Sequence, residues 1–153
     1  MSRRFLGVVF GALVAGCATP SHYPSDGFWI NGAVVRLEPA RLAALRANWN
    51  DGALSLAATS HSDPVDHRWI LDLVALNEEL GTAPCHHVVF ERIEMLPLKV
   101  MTTALPSGNR KEFRPVKYNE NWHIDACGAQ HRWRVMDDAN DPSNELTVLL
   151  LGH

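Results

Sequence analysis

The pattern of the chain changes at Cys85, and that change restricts the fold more than any other feature. Ahead of it, apolar residues recur at helical spacing; beyond it, runs rich in β-branched residues alternate with short polar loops. Residues 39–49 read as a helix, with Pro39 suited to the first helical position and Leu42, Leu45 and Trp49 on one face. Residues 53–59 read as a further helical turn or a buried connector. Residues 64–80 predict the main helix: Asp63 is a good N-cap, Pro64 fits the first turn, and Asp66 adds negative charge there. Its apolar stripe is Val65, Trp69, Leu73, Leu76 and Leu80, Gly81 suits a C-terminal cap, and Pro84 bars continuation. Strands are expected at 88–95, 98–105, 113–118, 121–127, 132–137 and 145–151. Earlier, Asn31-Gly32 between apolar residues suits a tight hairpin turn, or else only 33–37 is a strand. Helices followed by a run of strands predict an α+β domain, with N-terminal helices packed on a C-terminal antiparallel sheet.

The segment from Asn121 to Val135 predicts a hairpin in detail. Gly128-Ala129 suits a two-residue type II′ turn, which favours glycine first. That register sets Trp122 opposite Val135, Ile124 opposite Trp133, Asp125 opposite Arg132 and His123 opposite Arg134. One face is then apolar and the other polar, as a half-covered antiparallel sheet requires.

The N-terminus carries a different signal. Arg3 and Arg4 precede an apolar run from Phe5 to Val14, and small residues then lead into Cys17. A short basic region, a short apolar core and small residues before a cut describe an export signal. The run falls short of the ~20 apolar residues that a spanning helix needs. With cysteine in the cleavage position, Val14-Ala15-Gly16-Cys17 resembles the lipobox of bacterial lipoproteins. The resemblance implies cleavage after Gly16 and lipidation of Cys17. Ala18, a non-Asp residue after the lipidated position, implies sorting to the outer membrane of a Gram-negative cell, facing the periplasm. The expected organisation is a signal peptide over 1–16, a lipidated tether rich in Pro, Ser and Gly over 17–27, and a single domain over 28–153.

Removing 1–16 takes the net charge from −3 to −5, with 12 basic residues against 17 acidic. No basic stripe survives, so a nucleic-acid partner is not expected. With Cys17 lipidated, Cys85 and Cys127 are an isolated pair in an exported protein, which favours a disulfide. Two separate buried thiols or a metal pair are the competing readings. The C-terminal residues Glu120, Trp122, Ile124, Cys127, Gly128, Trp133 and Val135 also resemble the end of small Gram-negative lipoproteins, whose pattern runs Glu-x-Trp-x-aliphatic-x-x-Cys-Gly and then an aromatic-x-Val strand. That resemblance bears on the fold and implies no activity.

Candidate chemistry is sparse. His86 and His87 follow Cys85, while His123 and His131 flank Cys127. If the cysteines approach, a Cys/His cluster for zinc or copper is conceivable. The spacings match no recognised metal motif, and surface or edge histidines are the plainer reading. Cys127 with His86 or His131 as base would make a nucleophilic pair, but this needs a free thiolate in an oxidising compartment. Ser55, Ser60, Ser62 and Ser107 lie in no nucleophile-elbow pattern. Asp63 and Asp66 are explained by capping, Asp72 by a solvated helix face, and Asp137, Asp138 and Asp141 by turns. Trp69, Trp122 and Trp133 fit core stripes; Trp29 and Trp49 sit near element ends, where either can be exposed. The expectation is a non-enzymatic envelope lipoprotein without cofactor or metal, held to the membrane through Cys17 and binding or assembling with another envelope protein. The alternative is a small periplasmic hydrolase or metal-binding protein using the Cys/His region.

Overall fold

The chain is α+β: short helices come first and a four-stranded antiparallel sheet occupies the C-terminal half. The structure, a computed structural model, describes residues 27–30, 33–103, 111–137 and 146–151. Cys17, the residues read as an export signal and most of those read as a tether lie outside the described residues, as do Asp138 and Asp141.

Strands β1 (Gly27–Ile30) and β2 (Ala33–Arg36) pair antiparallel with Ile30 opposite Ala33. That pairing is the one the hairpin reading expects, while Asn31 and Gly32 themselves lie outside the described residues. Helix α1 (Pro39–Arg46) starts on its proline and buries Leu42 and Leu45. Helix α2 (Ala53–Ala57) is one of the helical turns that 53–59 foreshadows; its fully buried Ala53 and Ala57 allow close packing.

Helix α3 (His67–Leu80) begins three residues later than expected. Asp63 does act as a local cap, but of a separate turn. Its Oδ1 accepts the Val65 amide at 3.0 Å and its carbonyl accepts the Asp66 amide at 2.9 Å. The helix proper then opens with the Ile70 amide donating to Asp66. Val65 is left 68 % exposed, and Leu80 is exposed too, so neither belongs to the buried stripe. Between them the helix is buried all round: every residue from Trp69 to Leu76 is covered, Asp72 included. The expectation of a solvated face at Asp72 therefore fails, because α1 and the Trp49 segment close over that side. Gly81 ends the helix in an extended conformation (φ −66°, ψ 175°), not as a left-handed cap.

Strand β3 (Val88–Met95) is followed by β4 (Lys99–Thr103) and β5 (Lys111–Pro115), which form a hairpin of their own. Strands β6 (Asn119–Ala126), β7 (Ala129–Met136) and β8 (Thr147–Leu150) join β3 in the order β3-β6-β7-β8, every pair antiparallel. A bulge at Glu91 shifts the register between Phe90 and Arg92. Along β6, Glu120, Trp122, Ile124 and Ala126 are buried on the helix side, while Asn119, Asn121, His123 and Asp125 occupy the other face.

The β6–β7 turn corrects the predicted register. Ala126 pairs with Ala129, so the turn residues are Cys127 (φ 55°) and Gly128 (φ 91°), both left-handed. This is the type I′ pattern and not II′. Trp122 consequently faces Trp133, Ile124 faces His131, Asp125 faces Gln130 and His123 faces Arg132. The correction moves the pairing by an even step, so the apolar and polar faces survive. Asp125 Oδ1 accepts the Gly128 amide at 2.6 Å and stabilises the turn.

The core lies between α3 and the sheet. Phe28 stacks on Trp69 with centroids 6.1 Å apart, and Trp69 donates its indole N–H to the Gly27 carbonyl, which fixes the first hairpin to α3. Phe90 and Trp122 meet edge to face. Among the described residues, no helix is long and apolar enough to cross a membrane.

Candidate functional site

Cys85 and Cys127 form a disulfide, with Cα atoms 5.7 Å apart and a sequence separation of 42. This lies within the usual 4.4–6.8 Å range. The bridge ties the segment after α3 to the β6–β7 turn. The Cys127 amide also donates to the His87 carbonyl at 3.3 Å. Neither sulfur is then a thiolate or a metal ligand.

The four neighbouring histidines do not converge. His86 and His87 are exposed just ahead of β3. His123 stands on the outer face of the sheet beside Glu94, and His131 on the helix side beside Glu78. Among the described residues, no group of three His, Cys, Asp or Glu side chains is arranged to hold a metal ion.

A cleft of about 870 Å³ opens where the end of α3 and residues 81–84 pass over β6, β7 and β8. The disulfide forms part of its wall, and Leu80, Leu149 and Leu150 are at its apolar rim. Its polar floor is Glu78, buried near the end of α3. One carboxylate oxygen accepts from His131 Nδ1 at 2.8 Å and the other from the Trp133 indole N–H at 2.8 Å. Each Glu78 oxygen is thus already engaged within the protein.

Beside the cleft runs β8, the edge of the sheet. Leu149, Leu150 and the following Leu151 are 49, 45 and 40 % exposed. Among the described residues, no strand pairs with the outer side of β8. The Leu151 amide donates inward to the Arg132 carbonyl. By the alternation of antiparallel ladders, Thr147 and Leu149 also face β7, while Val148 and Leu150 turn their amides and carbonyls outward. The strand Thr-Val-Leu-Leu carries no lysine, no proline and no inward charge, the usual protections of an exposed edge. The opposite edge is different. Val88 bridges to Trp49, and Phe90 donates its amide to Asn50 Oδ1, so the start of β3 is covered.

Three buried carboxylates escape a reading of the sequence. Each accepts a tryptophan N–H: Glu78 from Trp133, Glu120 from Trp122 and Asp72 from Trp49. Glu120 is fully buried and also takes the Ser60 hydroxyl at 2.7 Å and the His61 amide at 2.6 Å. Asp72 is held by Arg46, with Nε at 3.0 Å. Burial pushes its carboxyl above the ordinary 3.8, against the opposing hydrogen bonds from Arg46 and Trp49. The available signal was the tryptophan content: a buried indole N–H needs an acceptor. Trp49, placed at an element end, is half-buried through this bond, while Trp69, Trp122 and Trp133 are core residues as expected.

Compared with known protein families, curated proteins and solved structures, the chain matches none. What the site does is read from its own geometry.

Proposed function

We propose that this chain is a lipid-anchored, non-enzymatic lipoprotein of the outer membrane, facing the periplasm, which binds an extended apolar segment of another envelope protein along β8. One observation carries the reading: a sheet edge that no described strand covers, with three exposed leucines and outward-facing amides at Val148 and Leu150. Such an edge is a template for a further strand. The cleft beside it accepts side chains from the helix-facing side of that strand. The lipobox resemblance at Cys17 supplies the anchor, and the tether sets the domain off the membrane. The alternative of a hydrolase built on the Cys/His region loses its nucleophile to the disulfide, and Glu78 is occupied by His131 and Trp133.

The test is a photo-crosslinking amino acid placed at Leu149 in cells. A discrete adduct to one envelope protein is expected, absent when the probe sits at Val65 on the exposed turn before α3. An adduct of twice the chain's own mass assigns the edge to a second copy instead and overturns the hetero-partner. No adduct from Leu149 overturns edge binding altogether.

A further inference from the structure

The outer face of the sheet, away from the helices, carries a charge arrangement that the edge does not explain. Across β3, β6 and β7, Arg92, His123 and Arg132 form one row, and Glu94, Asn121 and Arg134 the next. Arg92 Nη2 lies 3.1 Å from His123 Nδ1. Arginine only donates, so in this contact Nδ1 is the acceptor. The other ring nitrogen, Nε2, lies 3.0 Å from Glu94 Oε2. Asn121 Nδ2 donates to the same oxygen at 3.3 Å, and these bonds, His123 first, hold the Glu94 carboxyl below its ordinary 4.5.

Among the described residues, the carboxylates near the two arginines of β7 each make other contacts. Glu94 serves His123 and Asn121, Asp125 accepts the Gly128 amide, Glu91 accepts from Gln130, and Asp137 accepts the Lys117 amide. Among the described residues, Arg134 reaches only Asn121 Oδ1, at 3.5 Å, and its buried Nε has no hydrogen-bond partner. Among the described residues, neither Arg132 nor Arg134 has a carboxylate within ion-pair distance. Two guanidinium groups two residues apart on one face of a strand repel each other; burial and then Arg132 disfavour the charged form of Arg134. An arrangement of this kind becomes favourable when an anion sits between the two forks.

We propose that Arg132 and Arg134, with Arg92 at the far side of His123, form a binding site for a phosphate group on the outer face of the sheet. A planar carboxylate is satisfied by one guanidinium fork. A tetrahedral phosphate offers three or more acceptor oxygens and up to two charges, and so serves both forks at once. The phosphate chemistry is common to a free phosphate and to a phosphomonoester lipid headgroup, and the test separates these sources.

The full chain in neutral detergent micelles, with 15N-labelled arginine, is titrated with inorganic phosphate at ionic strength held constant by chloride. It is titrated separately with micelles doped with phosphatidic acid. Saturable movement of the Arg132 and Arg134 Nε–H signals is expected. Arg132→Gln, at an exposed position, and Arg134→Lys, which keeps the charge but loses the fork, should each weaken binding about tenfold or more. Movement with inorganic phosphate supports a site for the free anion. Movement only with doped micelles supports the same site reading a headgroup. No saturable movement in either titration, or movement that both variants retain unchanged, overturns the proposal.

Discussion

Breaking the bridge between Cys85 and Cys127 should remove much of the domain's stability. The bond joins residues 42 apart in sequence. The chain-entropy account values such a closure at about 4 kcal/mol at 25 °C. Domains of this size are commonly stable by ~5–15 kcal/mol, so the loss is a large share. Cys85→Ala should therefore lower the unfolding free energy in urea by about 4 kcal/mol, and a reductant should bring the wild-type curve down to a similar midpoint. The turn supplies an internal control. Cys127 sits at φ 55°, a left-handed conformation that costs an ordinary residue ~1–2 kcal/mol. Asparagine tolerates that conformation, and Asn-Gly is the favoured type I′ pair. Adding Cys127→Asn to Cys85→Ala should return about 1 kcal/mol. A loss below about 1 kcal/mol for Cys85→Ala, or a further loss in the double variant, would refute the reasoning about the loop and the turn respectively.

Other outcomes follow from the buried groups and the N-terminus. The raised carboxyl of Asp72 means that the folded state favours its protonated form, so stability falls as pH rises from the ordinary 3.8 through the raised value. Asp72→Asn should remove that falling limb from unfolding curves measured across acid pH; an unchanged slope would contradict it. Trp122→Phe keeps the ring against Phe90 but takes a donor from the fully buried Glu120, and should cost ~1–3 kcal/mol in urea unfolding. That cost should shrink in a Glu120→Gln background, since the two share one hydrogen bond. Cys17→Ser should abolish palmitate labelling and membrane retention in cells, and unaltered labelling would remove the anchor from the account.

The parts of the fold legible in the sequence are those set by local pattern. The β3 bounds, the α+β order and the two-faced β6–β7 hairpin follow from periodicity, and the disulfide follows from counting cysteines in a chain whose N-terminus reads as an export signal. The hairpin register was misplaced because Gly128-Ala129 fits one turn type while Cys127-Gly128 fits another. The choice rests on Asp125 and the bridge at Cys127, which act only once the chain is folded. The same holds for α3: Asp63 and Pro64 read as its cap and first residue, but Asp63 closes a turn of its own and the helix starts beyond it, at His67. Glu78, Asp72 and Glu120 were illegible because their partners are distant. Trp133 lies 55 residues from Glu78, and Ser60 lies 60 residues from Glu120. The bare edge of β8 depends on strand order, which no local pattern encodes.

Backbone hydrogen exchange at β8 tests the central claim most directly. In the purified chain, the outward amides of Val148 and Leu150 should exchange quickly while the inward amide of Leu149 is protected by β7. In the native envelope, with the partner bound, Val148 and Leu150 should become protected as well. Leu150→Pro, which removes an outward N–H without breaking a bond to β7, should abolish that added protection while Leu150→Ala retains it. Outward amides that exchange equally fast in the envelope and in the purified chain would contradict strand addition at this edge.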